Sequence, residues 1–232
     1  MSLTDDLTQE VHSILNTKWE TRDGQVVPEA DDVQLDNDAV LLDGTVLYAD
    51  LAESTTLVSG YKNWFAAEVY KSYLVCACTI IRSNGGEITA FDGDRVMAVF
   101  IGDSKNTSAA KAALQINYAV QEIINPKIQQ VYPKTNYELR QAVGIDTSKL
   151  FIARTGIRGS NDLVWVGRAA NYAAKMCSFR EGGYTTYITA DVFDLLHDSV
   201  KYGGNPRALM WEQRNWEKQA RTVYRTSWRW SP

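Results

Sequence analysis

Two aspartates stand in settings that could do chemistry. Asp50 ends an apolar run in VLYADLAESTT, and Asp94 follows an Asp-Gly turn in FDGDRVMAVF. A carboxylate at the end of a buried strand is costly unless a metal or another charge meets it. Two hard oxygen donors held at a set separation suit Mg²⁺ or Mn²⁺. Two such ions about 3.5–4 Å apart can activate a hydroxyl and neutralise a leaving pyrophosphate. The small polar residues after Asp50 (Glu53, Ser54, Thr55 and Thr56) form a turn that can aim backbone N–H groups at phosphate oxygens. Taken singly, Asp-Gly turns are common and an aspartate at a strand end is usually a turn or cap residue. Only the order and spacing of the two motifs within the chain raise them above that.

The surrounding pattern supplies elements to position both. Residues 44–52, GTVLYADLA, read as a buried strand, and NWFAAEVYKSYLVCACTIIRSN is apolar at helical spacing. GGEITAFDGDRVMAVF reads as strand, turn, strand, so Asp94 falls at a hairpin tip. The helix TSAAKAALQINYAVQEII is expected to end at Asn125-Pro126. ELRQAVGIDTSKLFIARTGI reads as two strands around a turn; LVWVG is a short strand and RAANYAAKMCS a helix. YTTYITA reads as a strand, ADVFDLLHD as a short helix and RTVYRTSWRW as a closing strand. The mixture predicts an α+β fold with a largely antiparallel sheet flanked by helices. Before it, Leu7, Val11, Ile14, Leu15 and Trp19 fall at helical spacing, and residues 21–38 read as a polar linker. The expected organisation is an N-terminal helix and linker over 1–38 and a catalytic domain over 39–232.

Composition narrows the function. Hydrophobic residues make up 45% of the 232 and charged ones 22%, enough to bury a core. A net charge of −4 argues against nucleic acid or an acidic membrane as partner. The two histidines, His12 and His197, leave no room for a histidine triad or a zinc-binding HExxH motif. Three cysteines without metal-type spacing suit a reduced, cytoplasmic chain, and no apolar run long enough to cross a membrane is seen. Trp211, Trp216, Trp228 and Trp230 are expected in the core or at a sheet edge rather than in a ligand platform.

In order, these motifs resemble the class III nucleotidyl cyclases across roughly residues 44–225. VLYADLAEST resembles the first metal motif of that family, and GGEITAFDGDRVMAVF the second. AVGIDTSKLFIARTGI resembles its central strand pair, and WVGRAANYAAKM its Gly-x-x-x-Asn helix. The resemblance implies two Mn²⁺ or Mg²⁺ ions per site, held by Asp50, Asp94 and the main-chain carbonyl of Leu51. It implies that Asn171 positions the ribose, that Lys175 stands where the family has a transition-state arginine, and that Lys218 binds triphosphate. Arg to Lys exchanges a planar fork for a point charge. Ala142 occupies a position where an arginine often serves the triphosphate, and Arg140 could substitute for it. The resemblance further implies a homodimer whose two sites each draw on both subunits.

The base pocket departs from the purine pattern. Ala90 stands where adenylate cyclases carry Lys and guanylate cyclases Glu, and Val164, followed by Trp165, replaces the second base-reading residue. Tyr48 shares a strand face with Asp50 and could stack on a small ring. These departures resemble the pyrimidine cyclases of a bacterial antiphage system, the uridylate cyclases above the cytidylate ones. The expected reaction is therefore UTP to 3′,5′-cyclic UMP and pyrophosphate, a second-messenger step in defence. Alternatives are an adenylate or cytidylate cyclase, or a sensor that binds nucleotide without turnover.

Overall fold

The computed structural model describes residues 2–232. The chain forms two compact units: one runs up to Asp43 and includes Lys149–Gly167, and the other comprises Gly44–Ser148 and Arg168–Pro232.

In the first unit, helix α1 (Leu3–Asn16) is capped by Ser2, whose hydroxyl accepts from the Asp5 amide while the Asp5 carboxylate accepts from the Ser2 amide. Its apolar stripe of Leu7, Val11, Ile14 and Leu15 is exposed along its length. Trp19 lies beyond the helix and packs edge-on against Phe151. Residues 21–38 are not a loose linker. Strand β1 (Glu20–Asp23) pairs in parallel with the start of β2 (Asp38–Leu51), and a 3₁₀ turn covers Ala30–Asp32. Arg154 ties this segment down by pairing with Asp31 at 3.0 Å.

The second unit holds the rest of β2, then helices α2 (Ser54–Gly60) and α3 (Asn63–Ser83), and the hairpin β3 (Glu87–Asp92) and β4 (Arg95–Phe100). Helices α4 (Lys105–Tyr118) and α5 (Asn125–Val131) follow, joined by a π-helical turn over Ala119–Ile124. The expected stop at Pro126 therefore does not occur. Pro126 sits in the first turn of α5, where its missing N–H costs little, and the wider turn before it absorbs the misfit. Strand β5 (Gln141–Ile157) is one continuous strand that leaves this unit after Ser148, not two strands around a turn. Its far end pairs with β6 (Ser160–Val166) inside the first unit. The second unit continues with α6 (Arg168–Met176), β7 (Thr186–Thr189), α7 (Ala190–Asp194) and α8 (Asp198–Lys201). It closes with a small hairpin of β8 (Tyr202–Gly203) and β9 (Ala208–Leu209), then β10 (Glu212–Trp216) and β11 (Arg221–Thr226).

The strand order here is β10-β11-β7-β5-β2-β4-β3, with the β5–β7 pair parallel and the pairs β2–β4, β3–β4, β7–β11 and β10–β11 antiparallel. This is the α+β fold with a mostly antiparallel sheet that the sequence predicts. The core joins one sheet face to the helices: Leu47, Ala49, Val96, Ala98 and Phe100 meet Phe65, Val69, Tyr73 and Ala77 of α3 and Ala109 and Ala113 of α4. Contrary to the expectation of no such run, helix α3 is long and apolar enough to cross a membrane; Phe65, Val69, Tyr73, Ala77, Ile80 and Ile81 on it are buried in this core. Trp211 and Trp216 are buried, while Trp228 and Trp230 pack against the core from its margin.

One glycine shows how closely the layers meet. A Cβ on Gly144 would lie 2.2 Å from the Ala173 carbonyl oxygen and 2.6 Å from the Cys177 nitrogen. Only glycine lets α6 lie this near β5, and α6 carries Asn171 and Lys175.

Candidate active site

Strand period and register collect the candidate residues. Across the sheet, Tyr48 is opposite Met97 and Met97 is opposite Ala90; one row on, Asp50 is opposite Arg95 and Arg95 is opposite Asp92. Directly opposed residues share a face, as do residues two apart on one strand. One face therefore carries Tyr48, Asp50, Ala90, Asp92, Arg95 and Met97. The intervening positions Leu47, Ala49, Val96 and Ala98 fill the core behind it. Gly93, at φ +61°, turns the hairpin and brings Asp94 round at its tip.

Asp50 is 8% exposed and is met by two guanidinium groups. Arg95 donates from Nε to Oδ1 at 3.3 Å, and Arg180 donates from Nη2 to Oδ2 at 3.0 Å. Asp94 is treated differently. Its Oδ2 is buried and has no hydrogen-bond partner. Burial lifts its carboxyl above the ordinary range, and the nearby charge of Asp50 adds to the lift, while bonds from its own backbone and Ser54 oppose it. Two neighbouring carboxylates, one with a buried oxygen that has no partner, offer hard donors suited to a divalent cation. Leu51, whose main-chain carbonyl the resemblance makes a metal ligand, is buried next to Asp50 at the end of β2. The residues present therefore fit a divalent metal.

After Leu51 the backbone turns through Glu53, a non-glycine residue at φ +60°, into α2. Arg140 precedes β5, is exposed, and bonds Glu53 at 2.6 Å; its carbonyl accepts from the Ala52 amide at 2.7 Å. Arg140 thus stands beside the turn that follows Asp50, with its guanidinium paired to Glu53. Asn171 and Lys175 lie four apart on the exposed face of α6 and make no hydrogen bond or ion pair with either aspartate among the described residues. Lys218 is exposed in the 3₁₀ turn Glu217–Gln219. Trp165 is half-buried on β6 opposite Ile152 in the first unit, with its indole N–H buried and unpaired. Burial raises the Tyr48 hydroxyl above its usual value, and the charge of Arg95 opposes the rise.

Sequence reasoning missed Arg95 and Arg180. Arg95 had a local signal only in adjoining Asp94; its place on the face of Tyr48 and Asp50 comes from the β2–β4 register. Arg180 had none, because it lies 130 positions from Asp50. Cys177, buried beside this centre, is held as a thiol: burial and then the Asp50 charge push it up to about 12.

No family model matches the chain. It is 52% identical over 232 residues to the uridylate cyclase of Xanthomonas perforans, covering 99% of each chain. It is 49% identical over 233 residues to the uridylate cyclase of Burkholderia cepacia, covering both chains fully. Among solved structures, a bacterial light-regulated adenylyl cyclase superposes with a TM-score of 0.67 at 21% identity, covering 81% of this chain and 52% of that one.

Proposed function

The chain belongs to the uridylate cyclases, a branch of the class III nucleotidyl cyclases, and we propose that it converts UTP to 3′,5′-cyclic UMP and pyrophosphate. It is thus a phosphorus–oxygen lyase that closes a nucleoside triphosphate on its own ribose. The base, the residue roles and the assembly are the proposal.

Asp50, Asp94 and the Leu51 carbonyl would hold the metal. Two Mn²⁺ or Mg²⁺ ions bound there would lower the pKa of the ribose 3′-hydroxyl and neutralise charge on the leaving pyrophosphate. Asn171 orients the ribose, and Lys175 offers a cation to the charge that develops on the α-phosphate. Arg140 and Lys218 hold the phosphate tail. Asn171 and Lys175 come from the second subunit of a homodimer, consistent with their exposure on α6 and their lack of contact with the aspartates of their own chain. The product acts as a second messenger in antiphage defence, and the enzyme works in the cytoplasm.

The observation that carries the choice of base is the Tyr48–Met97–Ala90 row. It offers an aromatic ring, a thioether and a methyl group where a purine reader needs a charged side chain. Arg95, one row away, has N–H groups beyond the one given to Asp50. A guanidinium donates only, so it matches the O4 acceptor of uracil and opposes the 4-amino donor of cytosine. A site built to pair one pattern leaves polar groups unpaired with the other. The test is competition among equal concentrations of the four nucleoside triphosphates with Mn²⁺, with products identified by mass. Cyclic UMP is the expected main product. Cyclic AMP would overturn the pyrimidine reading, and cyclic CMP would overturn the role given to Arg95.

A further inference from the structure

Arg180 occupies an unusual position. Its Nη2 bonds Oδ2 of Asp50 at 3.0 Å, the oxygen of a residue that is otherwise nearly sealed from water. Its Nη1 donates to the carbonyls of Cys177 and Phe179, at 2.7 and 2.9 Å. The backbone on either side is pinned. Phe179 packs edge-on against Tyr187 and Trp216. Glu181 accepts two bonds from Arg214, at 3.1 and 3.2 Å, and one from Arg225 at 2.7 Å. The side chain of Arg180, by contrast, is 36% exposed. It borders a cavity that also takes in Ala52, Glu53, Arg140 and Arg229. That cavity adjoins the Asp50 turn at Ala52 and Glu53, and its charged lining is Arg140, Arg180 and Arg229 together with Glu53, Glu138 and Glu181.

A guanidinium and a divalent cation cannot both own the same carboxylate oxygen. Three hydrogen bonds hold the Arg180 guanidinium, one to Asp50 and two to backbone carbonyls, and the half-exposed side chain borders the adjoining cavity, where Arg140 and Arg229 add positive charge. We propose that Arg180 is a movable countercharge of this site: it competes with divalent cation for Asp50 and, once displaced, turns into the adjoining cavity to bind the phosphate tail beside Arg140. It thereby covers the charge lost where Ala142 replaces an arginine. This rests on the metal-and-triphosphate reading above but not on the choice of base. Arg180 is a binding and positioning residue, and the arrangement couples metal loading to the cation that receives the substrate anion.

The experiment measures binding in the full-length chain without turnover. Mn²⁺ is titrated into the wild type, Arg180→Met, Arg180→Lys and Asp50→Asn, and inorganic pyrophosphate is then titrated at saturating Mn²⁺, with circular dichroism checking each fold. Removing one charge-assisted competitor should tighten Mn²⁺ binding by about tenfold in Arg180→Met and weaken pyrophosphate binding by a similar factor. Arg180→Lys should fall between, because it keeps the charge and loses the fork. A purely structural role would weaken both. Unchanged or weaker Mn²⁺ binding in a folded Arg180→Met or Arg180→Lys, or unchanged pyrophosphate binding, overturns the proposal. Mn²⁺ binding that survives in Asp50→Asn overturns the metal reading itself, and this proposal with it.

Discussion

Asp94→Asn should make the protein more stable and leave it without activity. Asp94 holds one buried oxygen without a partner, and its carboxyl is lifted by burial and by the charge of Asp50. A buried unsatisfied polar group costs about 1–3 kcal/mol. Asp94 is only half-buried, and Ser54 and its own backbone supply partners, so the lower end of that range applies, about 1 kcal/mol. Asparagine keeps the shape, drops the charge, and offers Asp50 an N–H₂ donor. For a domain of this size, that converts to a rise of about 2–4 °C in Tm. The measurement is thermal unfolding in the presence of a chelator, followed by the same scan with Mn²⁺. The wild type should gain Tm with the ion, since a ligand that binds only the folded state stabilises it, and the variant should not. Turnover, read as cyclic nucleotide by mass, should fall to background. The combination marks a residue kept for function at the expense of stability. A fall in Tm would show that Asp94 is a structural turn residue. Retained turnover would refute its role at the metal.

Three further outcomes follow from other parts of the fold. Inactive Asp50→Ala chains mixed with inactive Asn171→Ala chains should regain part of the wild-type activity, since a heterodimer contains one intact composite site; no recovery, once subunit exchange is demonstrated, refutes the shared site. Gly144→Ala should destabilise the chain by about 1–3 kcal/mol, as overpacking does, and reduce turnover as well, because its methyl would push α6 and its Asn171 off β5; denaturant unfolding and activity measured together check this. Glu181, held below its ordinary range chiefly by the hydrogen bonds from Arg214, should contribute stability that is fully present above its unfolded pKa near 4.5 and lost as pH falls through the lower folded value. Comparing the pH dependence of unfolding in the wild type and Glu181→Gln reads the difference, which should shrink in high salt because the network is largely exposed.

Much of this protein is written locally. Periods of two and of about 3.6 residues mark β2, α3, the β3–β4 hairpin and α6, because each buries one face and the chain must repeat that face at the period of its element. The same local rule places Tyr48 and Asp50 together and puts Asp94 at a turn that Gly93 permits. It also puts Asn171 and Lys175 on one side of a helix. Where the local signal misleads, tertiary packing explains why. Pro126 marks a helix end by itself, yet the π-helical turn carries the chain through it; residues 138–157 read as two strands around a turn, yet pairing with neighbouring strands keeps β5 extended. The charge arrangement at Asp50 belongs to tertiary structure alone. Nothing near Arg180 in the chain distinguishes it from any solvated arginine, because an ion pair depends on where the fold closes a loop of 130 residues, not on neighbours in sequence. Gly144 shows the same division: the sequence supplies a glycine in a strand, and only the approach of the Ala173 carbonyl explains why no larger residue can stand there.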